Sequence, residues 1–336
     1  MINGKIRAGG GLKRCIHVYD NIISLENLLE AWKEFVRGKR SRKDVQEFQL
    51  ILMDNIISLH KDLTNRTYRH GGYHAFNISD PKPRNIHKAS VRDRLLHHAV
   101  YRVLYPYFDK IFIHDSYSCR LNKGTHRAIE RFKSFANEVS KNNTKQCWVL
   151  KCDIKKFFAN INHDVLQSIL AKYIPDEGIN WLLSQIVESF HSTRDEVGLP
   201  LGNLTSQLLV NIYMNEFDQF LKHKLKVKHY IRYADDFVVF TSDRKYLVRC
   251  LPAMQEFLIK ELKLFMHPNK IYIQTVASGI DFLGWVHFPD HSVLRTTTKR
   301  RMLKNLSRNP TEESLASYLG LLKWGNTYKI IKKVIS

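Results

Sequence analysis

The stretch Tyr230-Ile231-Arg232-Tyr233-Ala234-Asp235-Asp236-Phe237-Val238-Val239-Phe240 sets two adjacent carboxylates between runs of β-branched and aromatic residues. Such runs on both sides of a short polar centre predict a β-hairpin with an acidic tip. Adjacent acids in a turn are common on solvated surfaces, so the pair alone carries no chemistry. Its apolar flanks change the reading, because a dry hairpin presents its acids to whatever lies beside it. Upstream, Trp148-Val149-Leu150-Lys151-Cys152-Asp153 reads as a buried strand ending on a third carboxylate. Converging carboxylates repel unless cations neutralise them, and the economical reading is a divalent-metal site. Two metals about 3.5–4 Å apart can clamp the attacking and leaving oxygens of an in-line phosphoryl displacement.

Outward from this centre, helix and strand signals alternate without βαβ regularity, which suits an α+β domain with an antiparallel sheet. Leu25, Leu28, Leu29, Trp32, Phe35 and Val36 recur at helical spacing with Ser24 as N-cap. A basic loop follows, and a second amphipathic helix is expected from Val45 to Leu63. Tyr73 to Ile86, with Pro81 and Pro83, reads as a loop or hairpin. Helical patterns return over Val91–Tyr107, over His163–Tyr173 behind the cap Asn162, over Leu204–Leu225 after Pro200 and Gly202, and over Leu247–Leu262. Short strands are expected at Ile271–Gln274 and Phe282–Val286. From His291 to Ser336 ten Lys and Arg face only Glu312 and Glu313, and the segment reads as a basic helical subdomain.

The 336 residues carry 53 Lys and Arg against 32 Asp and Glu, a net charge of +21. Self-repulsion on that scale implies a polyanionic partner. Nucleic acid is favoured over an anionic membrane, because no basic amphipathic helix stands out. With 44% hydrophobic residues and a mean hydropathy of -0.33 the chain is globular, and no apolar run approaches a membrane span. Met1 to Gly11 holds Lys5 and Arg7 with no apolar stretch behind them, which argues against a secretory signal. Cys15, Cys119, Cys147, Cys152 and Cys250 include no Cys-x-x-Cys pair, which argues against zinc and for a reducing, cytoplasmic location.

Tyr233-Ala234-Asp235-Asp236 resembles the active-site hairpin of reverse transcriptases. Asp153-Ile154-Lys155-Lys156-Phe157-Phe158 is similar to their first palm motif, an aspartate followed five residues later by an aromatic. Leu199 to Gln207 resembles the motif between the two. Phe282-Leu283-Gly284-Trp285 resembles the primer-grip hairpin, and Lys270 falls where the family keeps a lysine before a strand. Arg84, Arg94 and Ser116-Tyr117-Ser118-Cys119-Arg120 match the fingers motifs of bacterial, group II intron-like enzymes. These motifs run in collinear order from about residue 20 to about residue 330. Most of the family has Gln-Gly-x-x-x-Ser-Pro in the middle motif. Here Leu201-Gly202 and Ser206-Gln207 resemble the enzymes of diversity-generating retroelements, as do Gly124-Thr125-His126, Ser317-Tyr318 and Trp324-Gly325-Asn326-Thr327. With no maturase or nuclease domain expected after Ser336, the resemblance is to a compact retroelement enzyme.

The resemblance implies a right-hand polymerase: an N-terminal extension (1–24), fingers (25–149), a palm (150–289) and a basic helical thumb (290–336). It implies Asp153, Asp235 and Asp236 as catalytic residues. With the Ile154 carbonyl they would hold two Mg²⁺ ions, Mn²⁺ being an alternative. Lys82, Arg84, Arg120, Phe158, Leu201, Gly202, Gln207 and Lys270 would contact the incoming nucleotide. Phe158 would exclude a 2′-hydroxyl and Lys270 would protonate the pyrophosphate. The alternatives are a core aromatic at Phe158, solvated lysines at 82 and 270, and a plain helix-preceding turn at Gly202. His97 and His98 read as packing or solvent-facing residues rather than metal ligands. Phe282, Leu283, Gly284, Trp285, Arg295, Lys299, Arg300 and Arg301 would meet primer and template. Implied partners are a template RNA, a primer and its cDNA, dNTPs and an accessory helical protein. Two rivals are an enzyme of another bacterial retroelement or antiviral system and a non-catalytic nucleic-acid scaffold.

Overall fold

The computed structural model describes residues 18–79, 83–308 and 311–335. The chain begins with α1 (Tyr19–Ile23) and α2 (Leu25–Phe35), and the Ser24 hydroxyl caps α2 by accepting from the Asn27 amide. The single helix expected from Val45 to Leu63 is instead two, α3 (Lys43–Leu50) and α4 (Leu52–Thr64). Ile51 leaves the helical backbone at φ −123°, ψ 45°. Leu50, Ile51 and Met53 are exposed there, so the apolar run that suggested one continuous buried face is partly turned to solvent. β1 (Tyr73–Ile78) and β2 (Arg84–Ala89) form an antiparallel hairpin, the second of the two readings of this segment.

Next come α5 (Val91–Asp109), α6 (Thr125–Ser140), β3 (Trp148–Asp153), α7 (His163–Tyr173), α8 (Glu177–Val187) and α9 (Leu204–Gln219). Asn162 caps α7 as expected, its side chain accepting from the Val165 amide at 3.0 Å. The helix expected to reach Leu225 stops at Gln219, and Phe220–Lys224 widens into a π turn. β4 (His229–Tyr233) and β5 (Asp236–Thr241) are the hairpin read from the acidic stretch. α10 (Arg244–Lys260), β6 (Tyr272–Thr275), β7 (Ile280–Phe282), β8 (Trp285–His287) and β9 (Ser292–Leu294) lead to the C-terminal helices α11 (Thr296–Arg308), α12 (Glu312–Leu322) and α13 (Tyr328–Ile335). The strand expected over Phe282–Val286 is thus a hairpin. Leu283 at φ 51° and Gly284 at φ 88° form its two-residue loop, and positive φ at both positions reverses the chain.

Contacts divide the chain into two compact units. One comprises the described part of Met1–Phe112 with Lys156–Asn215 and Glu261–Lys263; it is mainly helical and contains the β1–β2 hairpin. Its core includes Leu28, Phe35, Ile56, Leu95, Leu104, Leu166 and Leu182, all buried. The other comprises Ile113–Lys155, Glu216–Lys260 and Leu264–Ser336. It holds an antiparallel sheet in the order β4-β5-β3-β6 and a second sheet, β7-β8-β9. Phe132 and Phe135 of α6 pack with Ile231, Val238, Phe240 and Phe282 into one apolar cluster. A second cluster joins Ile129 to Trp285, Leu294, Met302 and Leu322, which fastens the C-terminal helices to the β8–β9 strands. Among the described residues no helix is long and apolar enough to cross a membrane. The four described cysteines are free thiols.

Candidate active site

Strand register brings the carboxylates together. In the β3–β5 pair Asp153 stands opposite Asp236. Directly paired residues share a face, and the period of two places Lys151 on that face as well. Tyr233 pairs with Asp236 across β4–β5, which leaves Ala234-Asp235 as a two-residue loop. Ala234 has φ 56°, the left-handed region that such a loop needs at its first position. An alanine there costs on the order of 1–2 kcal/mol, so the surroundings must hold the turn. The Ile154 amide donates to the Asp235 carbonyl at 3.1 Å and the His267 amide donates to the Asp153 carbonyl at 2.7 Å. The first bond ties the acidic tip to the end of β3, and the second ties that end to the segment before β6.

The deepest support is Arg232, which the sequence reading passed over. Its side chain is wholly buried beside Asp218, itself wholly buried. Nε donates to both Asp218 oxygens at 2.8 and 3.0 Å, and Nη2 donates to Oδ2 at 2.7 Å. Nη2 also donates to Ser116 Oγ at 3.1 Å, and Nη1 reaches the Ala234 carbonyl at 3.3 Å. Tyr230 donates its hydroxyl to the same Asp218 at 2.8 Å. Burial works against the Arg232 charge, yet Asp218 outweighs it and holds the guanidinium above its ordinary pKa. A charged fork therefore grips the left-handed residue of the turn from behind.

Lysines face the carboxylates. Lys270 donates to both Asp153 oxygens, at 2.8 and 2.9 Å. Lys151, itself buried, places its ammonium 3.2 Å from Asp236 Oδ1. That oxygen is enclosed and has no hydrogen bond of good geometry, so the ion pair is its sole compensation among the described residues. Burial pushes the Asp236 carboxyl up to about 7; Lys151 opposes this, while Asp235 and Asp153 add to it. The site is thus short of positive charge, which is the condition a divalent cation relieves. Among the described residues no three acidic, imidazole or thiol side chains already stand in a metal-holding group. The donor set fits a hard cation in chemistry without being assembled around one.

The other expected site residues divide between the units. Arg120 lies in the unit of the carboxylates, with Nη1 donating to the Ile113 and Ser116 carbonyls at 2.7 and 3.0 Å. Arg84, Phe158, Leu201, Gly202 and Gln207 belong to the other unit. There Leu201 offers its carbonyl to the His87 amide at 3.1 Å. Gly202 has φ 103°, and a Cβ on it would stand 2.9 Å from Ile86 Cγ2, so the turn against β2 by itself requires glycine. Phe158 is half-buried, edge-on to the buried Phe157. His97 is buried with Nε2 3.2 Å from His70 Nε2, and His98 packs against Phe35, as packing residues should. Lys82 lies outside the described residues. Phe282 and Trp285 are buried as the closing pair of the β7–β8 hairpin. Arg295 is committed to an ion pair with Asp281, whereas Lys299 and Arg300 are exposed on α11 and Arg301 is half-buried.

Over residues 78–287 the sequence matches the family described as reverse transcriptase (RNA-dependent DNA polymerase). The chain belongs to that family. It is 26% identical over 285 residues to Protein YkfC of Escherichia coli, covering 73% of each chain. It is 27% identical to the group II intron-encoded protein LtrA of Lactococcus lactis over 53% of this chain and 27% of LtrA. Against solved structures it is similar in fold to apo telomerase from Candida tropicalis, with a TM-score of 0.51, 13% identity, and coverage of 66% of this chain and 48% of that one. The match spans all three carboxylates, and this reverse transcriptase is by family an RNA-directed DNA polymerase. Sequence reasoning missed Lys151, although its place two residues before Asp153 on a strand was signal enough for a shared face. Arg232 and Asp218 gave no such signal, because the pair forms only when α9 meets β4.

Proposed function

We propose that Asp153, Asp235 and Asp236 are the catalytic carboxylates of this reverse transcriptase and that, with the Ile154 carbonyl, they hold Mg²⁺. The observation that carries this reading is the enclosed Asp236, opposite Asp153, whose Oδ1 has only the Lys151 ammonium beside it among the described residues. What Mg²⁺ supplies when bound is charge neutralisation at the attacking and leaving oxygens of the transferred phosphoryl group. The primer 3′-oxygen attacks the α-phosphorus and the bond to pyrophosphate breaks. Lys270, resting on Asp153, stands near enough to the carboxylates to serve as the proton donor to that pyrophosphate. The fingers, palm and thumb division and the nucleotide contacts of Lys82, Arg84, Arg120, Phe158, Leu201, Gly202 and Gln207 belong to the same proposal, resting on the motif resemblance. So do the primer and template contacts of the β7–β8 hairpin and α11.

The template is an RNA and the setting is a diversity-generating retroelement with an accessory helical protein. Leu201, which has no side-chain donor or acceptor, supports this finer reading. A glutamine there would add one polar check on the incoming nucleotide, worth about 0.5–1.5 kcal/mol, or roughly a factor of two to ten in selection. Its absence suits an enzyme that miscopies template adenines. The likeness to an intron-encoded protein favours a second reading, a reverse transcriptase of another bacterial retroelement. Primer extension on an adenine-containing RNA, with and without Mg²⁺, tests the chemistry. Sequencing the products of the parent and of Leu201→Gln tests the setting. Extension independent of divalent ions rejects the metal assignment, and equal error spectra at comparable extension reject the role of Leu201.

A further inference from the structure

The outer edge of the β1–β2 hairpin is met by a turn rather than by a strand. In an antiparallel pair every second residue of an edge strand directs both its N–H and its C=O away from its partner. His87 of β2, opposite Ala75 of β1, is such a residue. Its amide donates to the Leu201 carbonyl at 3.1 Å, and its carbonyl accepts from Asn203 Nδ2 at 3.0 Å. The side-chain amide of Asn203 thus takes the place that a peptide N–H would have in a third strand. Gly202, between the two, lies so close to β2 that a Cβ would meet Ile86 Cγ2 at 2.9 Å.

Asn203 immediately precedes α9, where an asparagine oxygen ordinarily accepts from the first amides of the helix. Here Asn203 is 2% exposed, and its Oδ1 has no hydrogen-bond partner among the described residues. Turning the amide over would set that oxygen against the His87 carbonyl, so the bond to β2 fixes the orientation. A buried acceptor left unsatisfied opposes folding. Helix capping therefore does not account for Asn203, and the bond to β2 does. The hairpin has a separate brace at its base, where the Phe190 ring stands edge-on to Tyr73 and His87 with centres 5.6 and 4.6 Å apart. Loss of the Asn203 bond would loosen the turn while that brace still holds the two strands.

Both ends of the link carry residues expected at the incoming nucleotide, Arg84 on β2 and Leu201 with Gly202 in the turn. All of them belong to one compact unit. We propose that Asn203 is a positioning residue for the incoming nucleotide: it clips the Leu201–Gly202 turn to β2, so that Arg84 and the turn hold the nucleotide as one rigid surface. The inference rests on the nucleotide contacts put forward under the proposed function. Asn203 itself touches no reacting atom. A nucleotide held by two loosely joined segments has to order them as it binds, and this weakens the ground state and the transition state alike. The clip supplies that order beforehand. Its loss raises KM and spares kcat.

The test is single-nucleotide extension of a primed RNA template by the full chain, over a range of dNTP concentrations. It compares the parent with Asn203→Ser, Asn203→Asp, Arg84→Ala and the double variant of Asn203→Ser with Arg84→Ala. Serine and aspartate both keep the ability to cap α9, but serine is too short to reach His87 and an aspartate carboxylate has no N–H to donate. The serine variant also introduces no buried charge. KM for the nucleotide is expected to rise about two- to tenfold in both, the range of one net hydrogen bond, with kcat and template affinity close to the parent's. Amide hydrogen exchange in the peptide covering residues 84–89 should quicken in both variants without nucleotide present. Arg84 acts through the strand that Asn203 holds, so the double variant should lose less than the product of the two single losses. Multiplicative losses overturn the proposal, and so does a fall in kcat and melting midpoint at unchanged KM. A parental KM in both Asn203 variants beside a raised KM in Arg84→Ala rejects the clip alone. A parental KM in Arg84→Ala as well rejects the nucleotide contacts and the proposal with them, so the two failures are distinguishable.

Discussion

The β4–β5 and β7–β8 hairpins have the same construction and opposite support. Each closes on a directly paired couple, Tyr233 with Asp236 and Phe282 with Trp285, and each turns on two residues that begin with a left-handed non-glycine. The first is held from behind by a buried ion pair, Arg232 with Asp218, whose fork reaches the turn carbonyl. The second is held by hydrocarbon: Trp285 packs among Leu294, Met302 and Leu322, with Gly325 against its ring. Apolar packing fills space and stabilises without direction, whereas a charged fork fixes one carbonyl in one place. A buried ion pair is not the most stable choice for a core, so its use behind the acidic turn points to positioning rather than to stability.

That contrast can be broken at graded strength. Arg232→Ala leaves the buried Asp218 carboxylate without its counter-charge, with only the Tyr230 hydroxyl donating to it among the contacts described, and is expected to cost about 3–5 kcal/mol, read as a lower denaturation midpoint. Asp218→Asn with Arg232→Met, which removes both charges, should recover much of the stability but not the extension rate. Full recovery of both would mean that the pair does not position the turn. Gly325→Ala forces a methyl group into Trp285 and should cost about 1–3 kcal/mol, while the divalent-ion dependence of extension stays at the parent value. Arg232→Lys keeps a charge for Asp218 but cannot reproduce the fork. Extension is expected to fall roughly two- to tenfold, with a smaller loss of stability than in Arg232→Ala.

The smallest effect concerns acid. Burial pulls the His287 imidazole down from 6.5 to about 4, with the Phe282 carbonyl opposing and Lys133 assisting. A group whose folded pKa is depressed contributes stability that is present above its unfolded value and lost as pH falls through its folded value. Unfolding midpoints of the parent should therefore decline from about pH 6.5 towards pH 4, and His287→Gln should decline less steeply. Parallel curves would assign the acid sensitivity to other groups.

Much of the frame was legible because local patterns and tertiary structure agree there. β3 ends on Asp153 as its apolar run implies, Asn162 caps α7, and the β-branched flanks of Asp235 and Asp236 pair as a hairpin. The failures have physical causes. Apolar spacing ran on through Ile51 although the residues around it face solvent. Residue pattern alone made one strand of Phe282–Val286, because Leu283 does not advertise a left-handed backbone, and only the motif resemblance gave the hairpin. At the site, the three acids were readable from chain order, and the register brings Asp153 and Asp236 face to face. Of the partners around them, Lys270 was legible only through the motif resemblance, Lys151 was overlooked on its own strand, and the Arg232–Asp218 pair forms only when α9 meets β4.

The central claim is that the paired acids form a cation-dependent catalytic centre, and Asp235→Asn tests it most directly. Extension of a primed RNA template by this variant should fall by orders of magnitude at saturating Mg²⁺, with template affinity close to that of the parent. Extension near the parent rate would contradict the account.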